Sequence, residues 1–324
     1  MANKVHIRFQ SVLAIILVLV FLLMAILAEV IAPTTGELVD GIQLAGLSRD
    51  QTPHPPSPDA LLGTTPGQMD VFYALVHGSR DALFFGLTTA FLTALIGLIV
   101  GTLGSMSGGW VNQLSMRFTD GILCFPVVAG IALFQQIINM TKFSLNEEAK
   151  MFYDAPFLSP AMSSYLQGIL DQTTSSSFFL MLDPVMLALI LLSWVPYARM
   201  MNILILNTKK LEYVSAARAA GASGWRIFRR HILPNTTAPL FVLMSKDIGQ
   251  MVVWQTTFAF VGFQSMSAWS ASLLVSRSWI LGMGGNPLKF WWVYLPITVA
   301  LIVFAFAWNL LGDEINNWLN PKKY

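Results

Sequence analysis

The residues best suited to bind another molecule lie in one basic stretch, residues 206–240. Its alanine-rich first part favours a helix up to Ala220, because alanine loses no side-chain entropy in a helix. Gly221 permits a sharp turn. A second short helix is predicted to begin near Trp225 and to end before Pro234, because proline cannot continue a helix interior. The stretch is therefore predicted to be two helices joined at a glycine elbow.

The second helix is predicted to have an apolar face and a basic face. Trp225, Phe228 and Ile232 recur at helical spacing on one side, and three arginines occupy the other. The arginines are Arg226, Arg229 and Arg230. Guanidinium groups pair well with acidic groups. The helix is expected either to dock onto a protein partner or to rest on anionic lipid headgroups.

The sequence contains no pattern that is typical of a catalytic site. The four histidines are scattered without metal-ligand spacing, and the single cysteine, Cys124, lies in an apolar run. The chain contains no Gly-x-x-x-x-Gly-Lys-Ser/Thr phosphate loop and no nucleophile-base pattern. Haem-ligand histidines, which a respiratory membrane subunit would need, are also missing from the apolar runs. The chain is therefore predicted not to be an enzyme and to hold no metal, cofactor or nucleotide of its own.

The elements that position the basic stretch are predicted from composition. A 324-residue chain with 55% hydrophobic and 11% charged residues has too little polar surface for a water-soluble globule. Its apolar residues form uninterrupted runs, so the fold is predicted to be all-α and integral to a membrane, with six transmembrane helices. The predicted spans are Val12–Ala32, Leu83–Met106, Leu114–Ile138, Phe178–Leu206, Leu240–Phe263 and Trp291–Leu311. Asp120 and Pro126 interrupt the third span, which is expected to be kinked.

The placement of lysine and arginine predicts that both termini lie on the cytoplasmic side. The predicted layout is an N-terminal anchor helix (1–32), an extracytoplasmic segment that ends in a surface helix (33–80), a transmembrane core (81–311) and a cytoplasmic tail (312–324). The core contains an outer insertion (139–177) and a coupling loop (207–238). The insertion is expected to be either a small cap or disordered.

Small residues recur along one face of the second span, which predicts close packing against a neighbouring helix. They are Gly86, Ala90, Ala94, Gly97, Gly101 and Gly104.

The spacing within the basic stretch resembles the permeases of bacterial ABC importers, in particular the second permease subunit of oligopeptide and dipeptide systems. Their hallmark is Glu-Ala-Ala, three residues, Gly, nine residues and Ile-x-Leu-Pro. The matching residues here are Ala216, Ala217, Gly221, Leu233 and Pro234. Ser215 stands where the family has glutamate, and His231 where many members have isoleucine.

Further stretches are similar to the same branch, and together they cover most of the chain outside the anchor helix and the outer insertion. They are residues 54–80, 108–126, 193–199 and 309–321. A departure occurs in the fifth span, where residues 255–262 lack a glutamate that the family commonly shows.

The resemblance implies a type I importer permease fold in which a cytoplasmic coupling helix sits in a groove of an ATPase. The implied coupling residues are Glu212, Ser215, Ala216, Ala217, Arg218, Gly221, Arg226, Arg229, His231, Leu233 and Pro234. Ser215, Ala216 and Ala217 would form the close-contact face, and Gly221 would be the elbow. Arg218, Arg226 and Arg229 would steer or pair with acidic groups on the ATPase.

The implied function is import of dipeptides or oligopeptides across the bacterial inner membrane, and transport of nickel or another small solute by the same architecture is the alternative. The expected partners are a homologous second permease subunit, two ABC ATPase subunits that bind ATP and Mg²⁺, an extracytoplasmic peptide-binding protein and membrane lipid. No nucleic acid is expected.

Polar residues in the fifth span are candidates for the substrate path, although hydrogen bonding between helices explains them equally well. They are Gln250, Trp254, Gln255 and Thr256. Lys246 and Asp247 lie early in the same span and are expected to pair with the partner permease.

Overall fold

The computed structural model describes residues 9–39, 41–45, 52–153, 183–263, 265, 267–282 and 285–319. Within these ranges the chain is mostly helical. The α-helices are α1 (Phe9–Ile26), α2 (Ala28–Ile31), α3 (Val71–Ser107), α4 (Gly109–Leu123), α5 (Val127–Tyr153), α6 (Pro184–Leu192), α7 (Val195–Thr208), α8 (Glu212–Ala219), α9 (Gly224–Ile227), α10 (Leu233–Val261), α11 (Ala268–Leu281) and α12 (Leu295–Leu319). A π-helical turn covers Phe228–Ile232, and a 3₁₀ turn covers Trp291–Val293. An antiparallel hairpin of β1 (Leu38–Val39) and β2 (Ile42–Gln43) departs from the all-α prediction.

Three helical stretches of the described chain are long and apolar enough to cross a membrane, namely α3, the joined α6 and α7, and α12. A fourth span results if α4 and the first part of α5, which bend by 80° where Pro126 breaks the helix, together form one span. The sequence predicted a kink here, and the structure has a break between two helices. A shorter apolar helix covers Gln10–Ile26. The count of six spans stays a prediction, since α10 has sufficient length but carries Lys246 and Asp247.

Helix α3 joins two elements that the sequence had separated, the surface helix of the outer segment and the span Leu83–Met106. Its 37 residues form one helix because no proline interrupts them and the Asp70 carboxylate caps the first turn, accepting from the Phe72 N–H at 2.8 Å. At a rise of about 1.5 Å per residue the helix is about 55 Å long, well beyond a hydrocarbon core of about 30 Å. Part of α3 therefore extends outside the membrane.

The small-residue face of α3 is a packing face, as predicted. A Cβ on Gly97 would lie 2.8 Å from the Trp194 carbonyl oxygen of the helix pair α6–α7, and one on Gly101 would lie 2.9 Å from the Met201 Cβ. A Cβ on Gly86 would lie 2.8 Å from the Ile248 carbonyl oxygen of α10. Glycine thus lets the backbone of α3 pack closely against α7 and α10. Such close packing stabilises helix association in lipid, where burial of apolar side chains gives no net driving force.

Two elements lie where the sequence predicted loops. Helix α5 continues to Tyr153, into the predicted outer insertion, and the rest of that insertion, residues 154–177, lies outside the described chain. Helix α11 follows the fifth predicted span and was not predicted. The Trp269 side chain of α11 is fully buried against α3 and donates from its indole nitrogen to the Leu75 carbonyl at 3.1 Å. The contact with α3 buries one face of this short helix, in which serines are interspersed among apolar residues.

Replacing Gly101 with leucine is expected to lower the free energy of unfolding by about 1–3 kcal/mol, because the side chain would overlap α7. The matched control is Gly121→Leu, since a Cβ at Gly121 meets nothing within 4 Å. Thermal unfolding of the detergent-purified variants checks the difference, and equal stabilities would contradict the close packing of α3 on α7.

Candidate functional site

The elbow predicted at Gly221 is a Schellman motif at the end of α8. The Ala222 N–H donates to the Ala217 carbonyl at 3.1 Å, and the Gly221 N–H donates to the Arg218 carbonyl at 3.0 Å. Gly221 has a φ of 81°, the left-handed conformation that side-chain-bearing residues rarely adopt. The glycine is therefore required by the backbone and not by lack of space, since a Cβ there would meet nothing within 4 Å.

The second half of the stretch runs directly into α10. Ser223 caps α9, its hydroxyl accepting from the Arg226 N–H at 3.4 Å. The π turn follows without a break, and the Leu233 N–H bonds the Phe228 carbonyl across it. The prediction that this helix ends before Pro234 is wrong, because the π turn continues directly into α10 and Pro234 lies within the first turn of α10.

The apolar face of the stretch differs from the predicted one. Ile227, Phe228 and Ile232 are buried, together with Val214 of α8, against α3, α7 and α10. Trp225, predicted to belong to this face, is 69% exposed. The direction in which the chain leaves the elbow decides which face of the short helix meets the bundle.

Polar contacts join α8 to the helical segment that follows Gly221. The Asn235 amide donates to the Tyr213 hydroxyl of α8 at 3.2 Å and to the His231 carbonyl at 2.7 Å. The rings of Tyr213 and His231 lie 6.0 Å apart. Before the elbow, the Lys209 ammonium donates to the Ser105 carbonyl at the end of α3 at 2.7 Å. Burial lowers the pKa of Lys209, and the nearby Arg218 lowers it further.

Most of the predicted coupling residues share an exposed surface, here called the coupling face. Its exposed members are Glu212, Ser215, Ala216, Arg218, Gly221, Arg226, Arg229 and Pro234, whereas Ala217, His231 and Leu233 are partly buried. The Trp225 side chain adds an aromatic group to this surface. Arg226, Arg229 and Arg230 line an open pocket of about 410 Å³. Within the described ranges, none of these three guanidinium groups has an ion-pair partner.

Charged side chains tie α10 to its neighbours near its middle. The Lys246 Nζ lies 2.6 Å from the Asp313 Oδ1 of α12, and the Tyr197 hydroxyl of α7 donates to the Asp247 Oδ2 at 2.6 Å. Lys246 and Asp247 thus both have partners within this chain, and their pairing with another subunit stays a prediction.

An ion pair of Asp120 with Arg199 joins α4 to α7.

The four candidates for the substrate path divide into two pairs. Gln250 and Trp254 are exposed on one stripe of α10, with Thr257 and Val261 at the following helical positions. Gln255 and Thr256 are buried, and the Gln255 amide donates to the Asp183 carboxylate at 3.1 Å.

Asp183 is a residue that the sequence interpretation missed. Its carboxylate caps α6, accepting from the Val185 N–H at 2.8 Å, and also accepts from the Ser265 hydroxyl at 2.8 Å. The signal was the pair Asp183-Pro184, a typical helix start that the predicted span Phe178–Leu206 passed over. The residue thus joins α6, α10 and the segment that follows α10.

Comparison with known proteins gives a consistent family. The profile of the family described as "Binding-protein-dependent transport system inner membrane component" matches residues 93–323. A relative from Brucella suis biovar 1 (strain 1330), which bears the name of a peptide transport system permease protein, is 27% identical over 94% of this chain and 86% of its own length. The nickel transport system permease protein of Escherichia coli (strain K12) is 26% identical over 82% of this chain and 80% of its own length. A solved structure of the MetNI methionine ABC transporter is similar at a TM-score of 0.49 and 16% identity, covering 77% of this chain and 97% of that one.

Truncating Ile227 and Trp225 to alanine is expected to change stability by very different amounts. Ile227→Ala should lower the free energy of unfolding by about 2–5 kcal/mol, because it opens a cavity in the packed face. Trp225→Ala should change it by less than about 0.5 kcal/mol, since the side chain is mostly exposed. Thermal unfolding of the two purified variants checks this, and a larger loss for Trp225→Ala would contradict the placement of the two faces.

Proposed function

The chain belongs to the inner membrane components of binding-protein-dependent transport systems, and we propose that it is the peptide-importer member in which the elbowed stretch couples separate ATPases to opening of the membrane path. As a permease component it is a multi-pass inner membrane protein and is not itself catalytic. Family membership implies a substrate-binding protein and ATPase subunits as partners.

The observation that carries the proposal is the continuous helical backbone from the elbow into the bundle. Residues 224–261 pass through α9, the π turn and α10 without a break. A force applied to the elbow would therefore be transmitted to α10, which contains Pro239 in its interior but no break in the helix. The elbow itself is exposed and has open space around Gly221, so a partner can reach it.

The coupling face has the chemistry of a docking surface for an ATPase groove. Ser215 and Ala216 are small and exposed, which allows a partner backbone to approach closely. The unpaired guanidinium groups of Arg226 and Arg229 favour acidic groups on the partner and would speed its association. In this proposal the two ATPases bind ATP and Mg²⁺, and this chain contributes the lever from Glu212 to Ile232.

The rest of the proposal concerns the path. A homologous second permease subunit forms the opposite wall, and alternating access follows from movement of the two subunits against each other. Gln250 and Trp254 lie on an exposed stripe of α10 and are the residues proposed to face the path. The six spans, the type I arrangement, the layout from anchor helix to cytoplasmic tail and the cytoplasmic position of both termini belong to this proposal.

Peptides are the proposed substrate, and nickel is the second candidate because one relative is named for nickel transport. The name of the Brucella suis relative, which covers more of the chain, favours peptides. The described residues contain no group of three or more His, Cys, Asp or Glu side chains placed to hold a metal ion, which also favours peptides.

Purification of the tagged chain from its native membrane is expected to recover two ATPase subunits and one related permease. Proteoliposomes that contain this assembly and the cognate binding protein should take up labelled dipeptides or tripeptides when ATP is present, and should not take up ⁶³Ni²⁺. Mass spectrometry and filter-binding uptake measure the two results. Recovery without any nucleotide-hydrolysing subunit would overturn the coupling role, and uptake of nickel alone would overturn the peptide assignment.

Gly221→Val is expected to reduce transport-coupled ATP hydrolysis at least about tenfold, because valine at a φ of 81° costs at least about 1–2 kcal/mol and redirects the elbow. Gly221→Asn should retain more activity, since asparagine tolerates the left-handed region.

The matched control for this variant is Gly224→Ala, which lies in the same stretch, has the same open space and has no left-handed φ. All three variants should reach the membrane in equal amounts, measured by immunoblot, while ATPase activity of the assembly is followed with and without loaded binding protein. Normal coupling in Gly221→Val would refute the lever.

A further inference from the structure

A cavity of about 240 Å³ lies between α10, α11 and α12, near the end of α10 that is far from the elbow. Its walls include the apolar side chains of Phe260, Leu273 and Leu301. This volume is below the roughly 300–1,000 Å³ of pockets that enclose whole drug-sized ligands. The cavity is therefore of a size for one side chain and not for a complete substrate.

Hydroxyl groups line the same cavity. Thr257 donates to the Val253 carbonyl at 2.7 Å, so its donor is already used within α10. The hydroxyls of Tyr294 and Thr298 also line the cavity and have no hydrogen-bond partner within the described chain. These two groups are available to the backbone amide and carbonyl of an occupant, whereas a lipid acyl chain would leave them unused.

The chemistry of the cavity lining distinguishes between the candidate substrates. Its described lining contains no acidic, basic, histidine or cysteine side chain. A nickel ion requires imidazole, thiolate or carboxylate ligands, and a charged side chain requires a counter-charge, so the cavity suits neither. An apolar side chain next to a peptide backbone matches both the apolar wall and the free hydroxyls.

The cavity is continuous with the exposed stripe of α10. Thr257 lines the cavity and is exposed, one helical turn beyond Trp254 and two beyond Gln250. We propose that this cavity is a specificity pocket that takes one apolar side chain of the transported peptide while its backbone lies along the Gln250–Trp254–Thr257 stripe. The assignment rests on the proposed peptide-import function and adds to it the class of side chain that is preferred.

The test uses the complete importer in proteoliposomes with its own binding protein and two labelled probes, the tripeptides Ala-Phe-Ala and Ala-Gly-Ala. Thr257→Trp narrows the mouth of the pocket and Thr298→Phe fills it. Each variant should lower the uptake of Ala-Phe-Ala relative to Ala-Gly-Ala by about tenfold or more, a factor that corresponds to about 1.4 kcal/mol. The ratio cancels any preference of the binding protein, because the same binding protein serves every variant.

Val299→Trp is the matched control, since Val299 is exposed on α12 next to Thr298 but does not line the pocket. It should leave the uptake ratio unchanged. An unchanged ratio in both pocket variants, or an equal loss of both peptides, would overturn the pocket while leaving peptide import intact. If one variant fails to reach the membrane, the other decides. A wild-type importer that takes up neither peptide would instead refute the proposed function itself.

Discussion

The unbroken helical backbone from Gly224 to Val261 is the connection on which the proposed function depends. A flexible joint at the membrane surface would absorb movement of the elbow before it reached the bundle. The π turn at Phe228–Ile232 keeps the helix continuous into α10, which contains Pro234 in its first turn and Pro239 in its interior. Burial of Ile227 and Phe228 then fixes the rotation of the stretch about its own axis, so the coupling face points away from the bundle.

The bundle that receives this helix is held by close backbone contacts and by a few charged pairs. Gly86 and Gly101 bring α3 to backbone distance from α10 and α7. Lys246 links α10 to α12, and Asp247 links α10 to α7. In lipid, such contacts stabilise helix association where apolar burial alone gives no net drive. The elbow, α10 and its neighbours are thus physically connected, which an alternating path requires.

The two ends of α10 carry different chemistry. Near the elbow the exposed groups are guanidinium and small side chains, which suit a protein partner with acidic groups. At the far end the exposed stripe meets a cavity whose described lining is uncharged, and the Tyr294 and Thr298 hydroxyls, which have no partner among the described residues, suit a peptide backbone. A single helix therefore joins the proposed motor contact to the proposed substrate contact. In the proposed function, this helix would be a direct physical route between ATP hydrolysis on the partner subunits and release of the peptide.

The sequence by itself determined the membrane class, the glycine elbow and the packing face of α3, because each depends on local composition, on a backbone conformation or on helical spacing. It also placed the break near Pro126, where proline interrupts a helix. Only the tertiary structure decided that Trp225 is exposed while Ile227 is buried, since the exit direction of the elbow sets the rotation of α9. The same holds for Asp247 and Gln255, whose partners Tyr197 and Asp183 lie 50 and 72 residues away in the chain. Such pairings depend on which helices become neighbours, and local sequence does not encode that.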